Sequence, residues 1–180
     1  MNALANSRGQ VARNRRLGNR LFGTAALLLT AGAVYAALEA FHRNHALMIN
    51  ASDSLPNWAF YMTRGSAPKR GDYISFVAPR SRLVLTHFGA KPPMFAKIVY
   101  GMPGDSITRI GTKVLINGKV VGHIKPLSKR GEPLALGPTG IIPQGCYYAG
   151  TPAKDGFDSR YAAIGFVCVS QIFGTGVPIL

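Results

Sequence analysis

Lys97 lies inside an apolar run, and a lysine so placed can act as a base. Residues 94–100, Met-Phe-Ala-Lys-Ile-Val-Tyr, read as a buried strand. Alternation puts Lys97 on one face with Phe95 and Val99 and sends Ala96, Ile98 and Tyr100 to the other. Neither face of that strand carries a carboxylate. Burying an unpaired ammonium is costly, and the usual escape is a depressed pKa that leaves the amine partly neutral near pH 7. A neutral amine in an apolar slot is a general base. The alternative is a lysine at a strand edge whose stem snorkels to water. Upstream, Asn50-Ala51-Ser52-Asp53-Ser54-Leu55-Pro56 offers a nucleophile. Pro56 fixes its own φ and pushes Leu55 toward an extended conformation, so Ser54 stands at the start of a stiff segment. The bland alternative is a Ser/Asp-rich turn.

Strands must hold these groups. Residues 72–77 form a strand candidate bounded by Gly71 and Pro79, and residues 80–93 are loop-like and basic. Residues 113–121 are the clearest hairpin, because Asn117-Gly118 suits a type I′ turn with positive φ at both central residues. Residues 126–143, rich in Gly and Pro, read as loops. Two further strands are expected at 146–149 and 164–173. Between them, residues 151–161 form a polar loop that holds Asp155, Asp158, Ser159 and Arg160. No helical periodicity and no internal repeat is visible after Leu38, so the body is mostly β.

The first part of the chain differs. Residues 1–20 carry Arg8, Arg13, Arg15, Arg16 and Arg20 with no acid and no apolar periodicity, which predicts a flexible basic arm. Residues 21–38 run without a charge and, as a helix, span roughly 27 Å, enough for a bilayer core. Arginine before the span predicts a cytoplasmic N-terminus and puts residues 39–180 outside, as the β domain. A cleaved signal peptide is the competing reading, but the apolar run is long for that role and its good Ala-x-Ala, Ala31-Gly32-Ala33, falls inside it. Trp58, Phe60, Tyr61 and Met62 suit either the core or the headgroup zone.

Over 180 residues, 47% are hydrophobic and only 16% charged, so some apolar residues are expected to face lipid. The net charge of +14 calls for an anionic neighbour. Lipid headgroups fit better than nucleic acid, since the basic residues are scattered and no recognition helix, aromatic RNA-binding strand or zinc-finger spacing accompanies them. Cys146 and Cys168 are in no metal-ligand spacing and are either two buried hydrophobes or one disulfide.

Four segments line up in order: Ser54-Leu55-Pro56, the 71–76 stretch Gly-Asp-Tyr-Ile-Ser-Phe, the Lys-x-Val-x-Gly-x-Pro-Gly-Asp run from Lys97 to Asp105, and Asp158-Ser159-Arg160-Tyr161. This set resembles the membrane signal peptidases, over essentially everything after Leu21. Within them the chain is most similar to the conjugative-transfer branch, the TraF-type pilin maturation peptidases. There Ser-x-Pro follows an Asn-x-Ser/Thr lead and the closing motif is Asp-Ser-Arg-Tyr. Leu55 stands where ordinary signal peptidases have Met, and Gly150-Thr151-Pro152 where they have Gly-Asp-Asn.

The resemblance implies a signal-peptidase-like β domain behind one transmembrane helix, with Ser54 as nucleophile and Lys97 as base. It implies oxyanion donation from the Ser54 N–H and the Ser52 hydroxyl. Asp158 positions Lys97 or its loop, and Asp105 and Arg160 support the site as charge partners. Many relatives carry a serine where this chain has Gly156, so either Asp158 or a water must orient the lysine here. The substrate implied is a membrane-embedded pro-pilin or a signal peptide. The setting implied is the bacterial inner membrane, with the catalytic domain periplasmic and conjugation machinery as a further partner. No cofactor or metal is implied.

Overall fold

In the computed structural model the chain divides into two units, Met1–Arg43 and Asn44–Leu180. The structure describes residues 2–179, with side chains from residue 22 onward. The first unit is helical: α1 spans Asn2–Asn44. Its Phe22–Asn44 part is long and apolar enough to cross a membrane, with mean hydropathy 1.6 and no buried residue. The basic arm expected to be irregular is therefore helical in its backbone. Once the apolar span has nucleated a helix, each further residue adds a hydrogen bond, and the Ala, Leu, Arg and Gln there are good helix formers.

The second unit is built from β1 (His45–Ile49), β2 (Ala59–Arg64), β3 (Tyr73–Val77), α2 (Arg82–Phe88), β4 (Met94–Gly101), β5 (Ser106–Ile110), β6 (Lys113–Ile116), β7 (Lys119–His123), β8 (Gly140–Ile141), β9 (Cys146–Gly150), β10 (Val167–Cys168) and β11 (Ile172–Pro178). Seven strands form one sheet in the order β1-β2-β11-β3-β4-β9-β10, and four form a second in the order β7-β6-β5-β8. The mostly β fold is as the sequence predicts.

Both faces of the larger sheet are covered. On one, Ile74, Phe76, Phe95 and Val99 pack with Val84 of α2, Tyr147, Ala149, Ile164 and Val167. On the other, Leu55, Phe60 and Met62 pack with Ala46, Met48, Tyr73, Ala96 and Ile98. Phe60 and Met62 are therefore core, whereas Trp58 is exposed. The smaller sheet closes over Ile107, Val114, Ile116, Ile142 and Tyr148. Gly101 lies where β4 leaves the sheet. A Cβ there would stand 2.5 Å from Ile142 and 2.9 Å from Tyr148, so no larger residue fits.

Two further expectations are corrected. Residues 80–93 contain a helix, α2, because Ser81 caps its N-terminus by accepting a hydrogen bond from Val84 N at 3.3 Å and Gly89 ends it at φ 80°. Seven residues are too few for a periodic signal to stand out. The strand expected at 164–173 is broken by a 3₁₀ turn at Val169–Gln171. Its two parts pair at different places, β10 with β9 at one edge and β11 between β2 and β3, which one straight strand cannot do. The 113–121 hairpin turns as expected, with Asn117 at φ 51° and Gly118 at φ 77°.

Cys146 and Cys168 face each other across β9 and β10 and are bonded, with Cα atoms 3.9 Å apart. The bond closes a loop of 22 residues that contains Asp158. Constraining the unfolded chain over such a loop contributes about 3 kcal/mol. Reduction is expected to lower the thermal unfolding midpoint by several degrees. Alkylation of both thiols without prior reduction would show that the bond does not form.

Candidate active site

Lys97 leaves the middle of β4 on the face it shares with Phe95 and Val99, opposite Ile74 of β3. Only 6% of it is exposed. Its Nζ lies 3.1 Å from Ser54 Oγ, so the structure brings together the two residues picked from sequence. Burial pushes the Lys97 ammonium down to about 8 from its ordinary 10.5. The negative charge of Asp158 opposes that fall and the positive charge of Arg160 adds to it. This is the environment a lysine needs to lose its proton near neutral pH.

Asp158 is fully buried and directs both carboxylate oxygens to Arg160, whose Nε and Nη2 each donate at 2.8 Å. The Arg160 backbone N–H donates to the same carboxylate at 3.0 Å. Arg160 then donates to the carbonyls of His123, Ala153 and Gly156, each at 3.0 Å, and so pins the 151–161 loop. Asp158 thus reaches Lys97 through its charge and reaches the loop through Arg160. Asp105 works in the turn after β4. There it accepts from Met102 N at 2.6 Å, Asn117 Nδ2 at 2.7 Å and Arg70 Nη2 at 2.6 Å, which holds it below the usual carboxylate range once burial is overcome.

The segment around Ser54 is held from both sides. Ser52 Oγ lies 2.9 Å from Ser54 Oγ and donates to Asn50 Oδ1 at 3.1 Å. Asn50 Nδ2 in turn donates to the carbonyls of Leu55 at 3.2 Å and Asn57 at 3.0 Å, closing the loop over itself. Tyr73 steadies Asn57 from β3, its hydroxyl donating to Oδ1 at 2.9 Å. From the far loop, Thr151 Oγ1 donates to the backbone carbonyl of Ser54. The sequence alone assigns no role to Asn50, Tyr73 or Thr151. An Asn ahead of a Ser-x-Pro was the one available signal, and for Thr151 there was none beyond its place in a departing triplet.

A family model described as signal peptidase, peptidase S26, matches residues 20–180. A solved signal peptidase I from Enterococcus faecalis V583 is 25% identical, with 61% of this chain and 97% of that chain covered at a TM-score of 0.39. No curated protein matches.

Proposed function

The chain belongs to the S26 signal peptidase family, a membrane-anchored serine peptidase of the signal peptidase type that acts on peptides, and we propose that Ser54 is its nucleophile and Lys97 its general base. The observation that carries this is the 3.1 Å contact between them in a setting that draws Lys97 down to about 8. At pH 7 about one molecule in ten then holds the amine neutral. That amine takes the Ser54 proton as Oγ bonds to the scissile carbonyl carbon, and the resulting ammonium gives the proton to the departing amine as the C–N bond breaks. Water repeats the cycle on the acyl-enzyme and frees Ser54. The oxyanion is received by the Ser54 N–H and the Ser52 hydroxyl, which stands beside the reacting oxygen and turns its proton from Asn50 Oδ1 toward it in that step. Losing one such donor typically costs ~10²–10³ in rate.

The domain boundaries we propose are a basic cytoplasmic arm at 1–20, a transmembrane anchor at 21–38 and a periplasmic catalytic domain at 39–180. The arginines before the span support that orientation, and the Cys146–Cys168 bond suits an oxidising compartment. Leu47 and Ile49 of β1 and Trp58 are exposed, an apolar surface on the first strand after the helix that fits work at an anionic bilayer.

The substrate we propose is a membrane-held pro-pilin cut after a small residue. The Asn50 to Pro56 and Asp158 to Tyr161 signatures of the transfer branch support it. Ring closure of the product would follow if an amine, instead of water, met the acyl-enzyme. Incubating the membrane-embedded enzyme with pro-pilin and measuring intact mass is expected to show a shortened product, or that product less one water if it is cyclised. Deleting the gene should stop pilus-dependent DNA transfer and leave growth intact. A general type I signal peptidase, the reading nearest to the family's description, would instead leave many secretory precursors unprocessed.

A further inference from the structure

We propose that Thr151 is a positioning residue for the nucleophile, and that Gly156 exists to make room for it. The proposal rests on the Ser54–Lys97 reading. Thr151 is 2% exposed, and its hydroxyl both donates and accepts. It donates to the carbonyl of Ser54, and accepts from Ala153 N at 3.1 Å. A hydroxyl has one proton to give, and here it goes to the backbone of the reacting residue. The bond joins the loop that Arg160 pins to a segment otherwise held by Asn50 from its own side.

The methyl group of Thr151 sets a second constraint, on residue 156. A Cβ at residue 156 would stand 2.0 Å from Thr151 Cγ2 and 2.6 Å from Arg160 Nη2. Any side chain there would drive Thr151 away from Ser54 or displace Arg160. The pair is therefore coupled: threonine at 151 requires glycine at 156. Thr151 touches neither Lys97 nor the scissile bond by this account. It sets the backbone of Ser54, and with it the aim of Oγ and of the N–H that receives the oxyanion.

Thr151→Val keeps the shape and removes the hydroxyl, and Thr151→Ser keeps the hydroxyl and removes the methyl. On a membrane-held peptide substrate, Thr151→Val is expected to lower kcat by about 10–100-fold with KM within twofold, as for a nucleophile displaced by a fraction of an ångström up to 1 Å. Thr151→Ser should recover most of that loss. The midpoint of the pH–rate profile should stay near 8 in both variants, because Lys97 is untouched. Wild-type kcat in Thr151→Val, or equal losses in Val and Ser, would overturn the proposal. Should Thr151→Val not fold, Gly156→Ala decides. Its kcat loss should be smaller in the Thr151→Ser background, where the Cγ2 contact is gone and only the contacts with Arg160 and the Ala153 carbonyl remain, and equal losses in the two backgrounds would sink the coupling. Ser54→Ala run alongside separates the two levels. If it retains cleavage the dyad itself fails, whereas a dead Ser54→Ala beside a fully active Thr151→Val removes the positioning role alone.

Discussion

Lys97→Met is expected to remove detectable cleavage while making the folded domain more stable at neutral pH. The two effects have one origin. A lysine with 6% exposure in an apolar setting binds its proton less tightly than the same lysine in the unfolded chain, about 8 against 10.5. Between those values the unfolded state holds more protons, so the domain gains stability as pH rises through that window. Below about 8 the full cost of the buried ammonium is present, on the order of 3 kcal/mol, and above 10.5 it has gone. Methionine has no ammonium to bury and nearly the same length. Its advantage over the wild type should therefore be largest at pH 6–7 and shrink above pH 8, which denaturant melts across pH would record. Cleavage goes the other way. General base catalysis is typically worth ~10²–10⁴, and without a base the Ser54 hydroxyl is a weak nucleophile. Lys97→Arg should be as inactive as Met, since a guanidinium stays charged at any working pH. In the wild type, kcat/KM should climb through pH 8 and then level. Retained cleavage in Lys97→Arg would remove the base assignment.

The parts of this site that were legible in sequence are those dictated by local chemistry. An apolar strand with one lysine, and a serine stiffened by a proline two residues on, can be picked out because burial and φ restriction act within a few residues, although each alone also fits a snorkelling lysine or a Ser/Asp turn and only the four segments taken in order join them. The Asn117-Gly118 turn was legible for the same reason. What stayed hidden depends on pairs distant in the chain. Thr151 meets Ser54 across 97 residues, and nothing near either marks the contact. Asp158 looked like a partner for Lys97, yet the tighter demand comes from Arg160 two residues away, whose planar fork matches a carboxylate bidentately. Gly156 looked like a missing support for the lysine. In the fold it is a space already filled by the Thr151 methyl. The break at Val169–Gln171 falls on the polar pair Ser170-Gln171, which a single strand with one wet face would also tolerate, and the change of sheet partner leaves no local mark.

Asp158→Asn and Arg160→Met should move the pH–rate midpoint in opposite directions, although both weaken the fold. The destabilisation follows from burial. Asp158 is fully buried and Arg160 nearly so, and removing one partner of such a pair leaves the other charge without compensation, at about 3–5 kcal/mol. Asn retains an oxygen that can accept from Arg160 Nε, so Asp158→Asn should fall at the lower end of that range. The ionisation of Lys97 separates the two variants. The carboxylate of Asp158 raises its pKa and the guanidinium of Arg160 lowers it. Removing the negative charge should therefore take the kcat/KM midpoint below 8, and removing the positive charge should take it above 8. At pH 6.5 the folded fraction of Asp158→Asn would carry more neutral lysine than the wild type, and Arg160→Met less. Measured at low temperature, with the folded fraction taken from parallel melts, the two profiles should straddle the wild-type curve. A pair that was only scaffolding would shift neither midpoint. Midpoints that move together would mean that both variants act through a common collapse of the 151–161 loop, and that the charge of Asp158 does not reach the base.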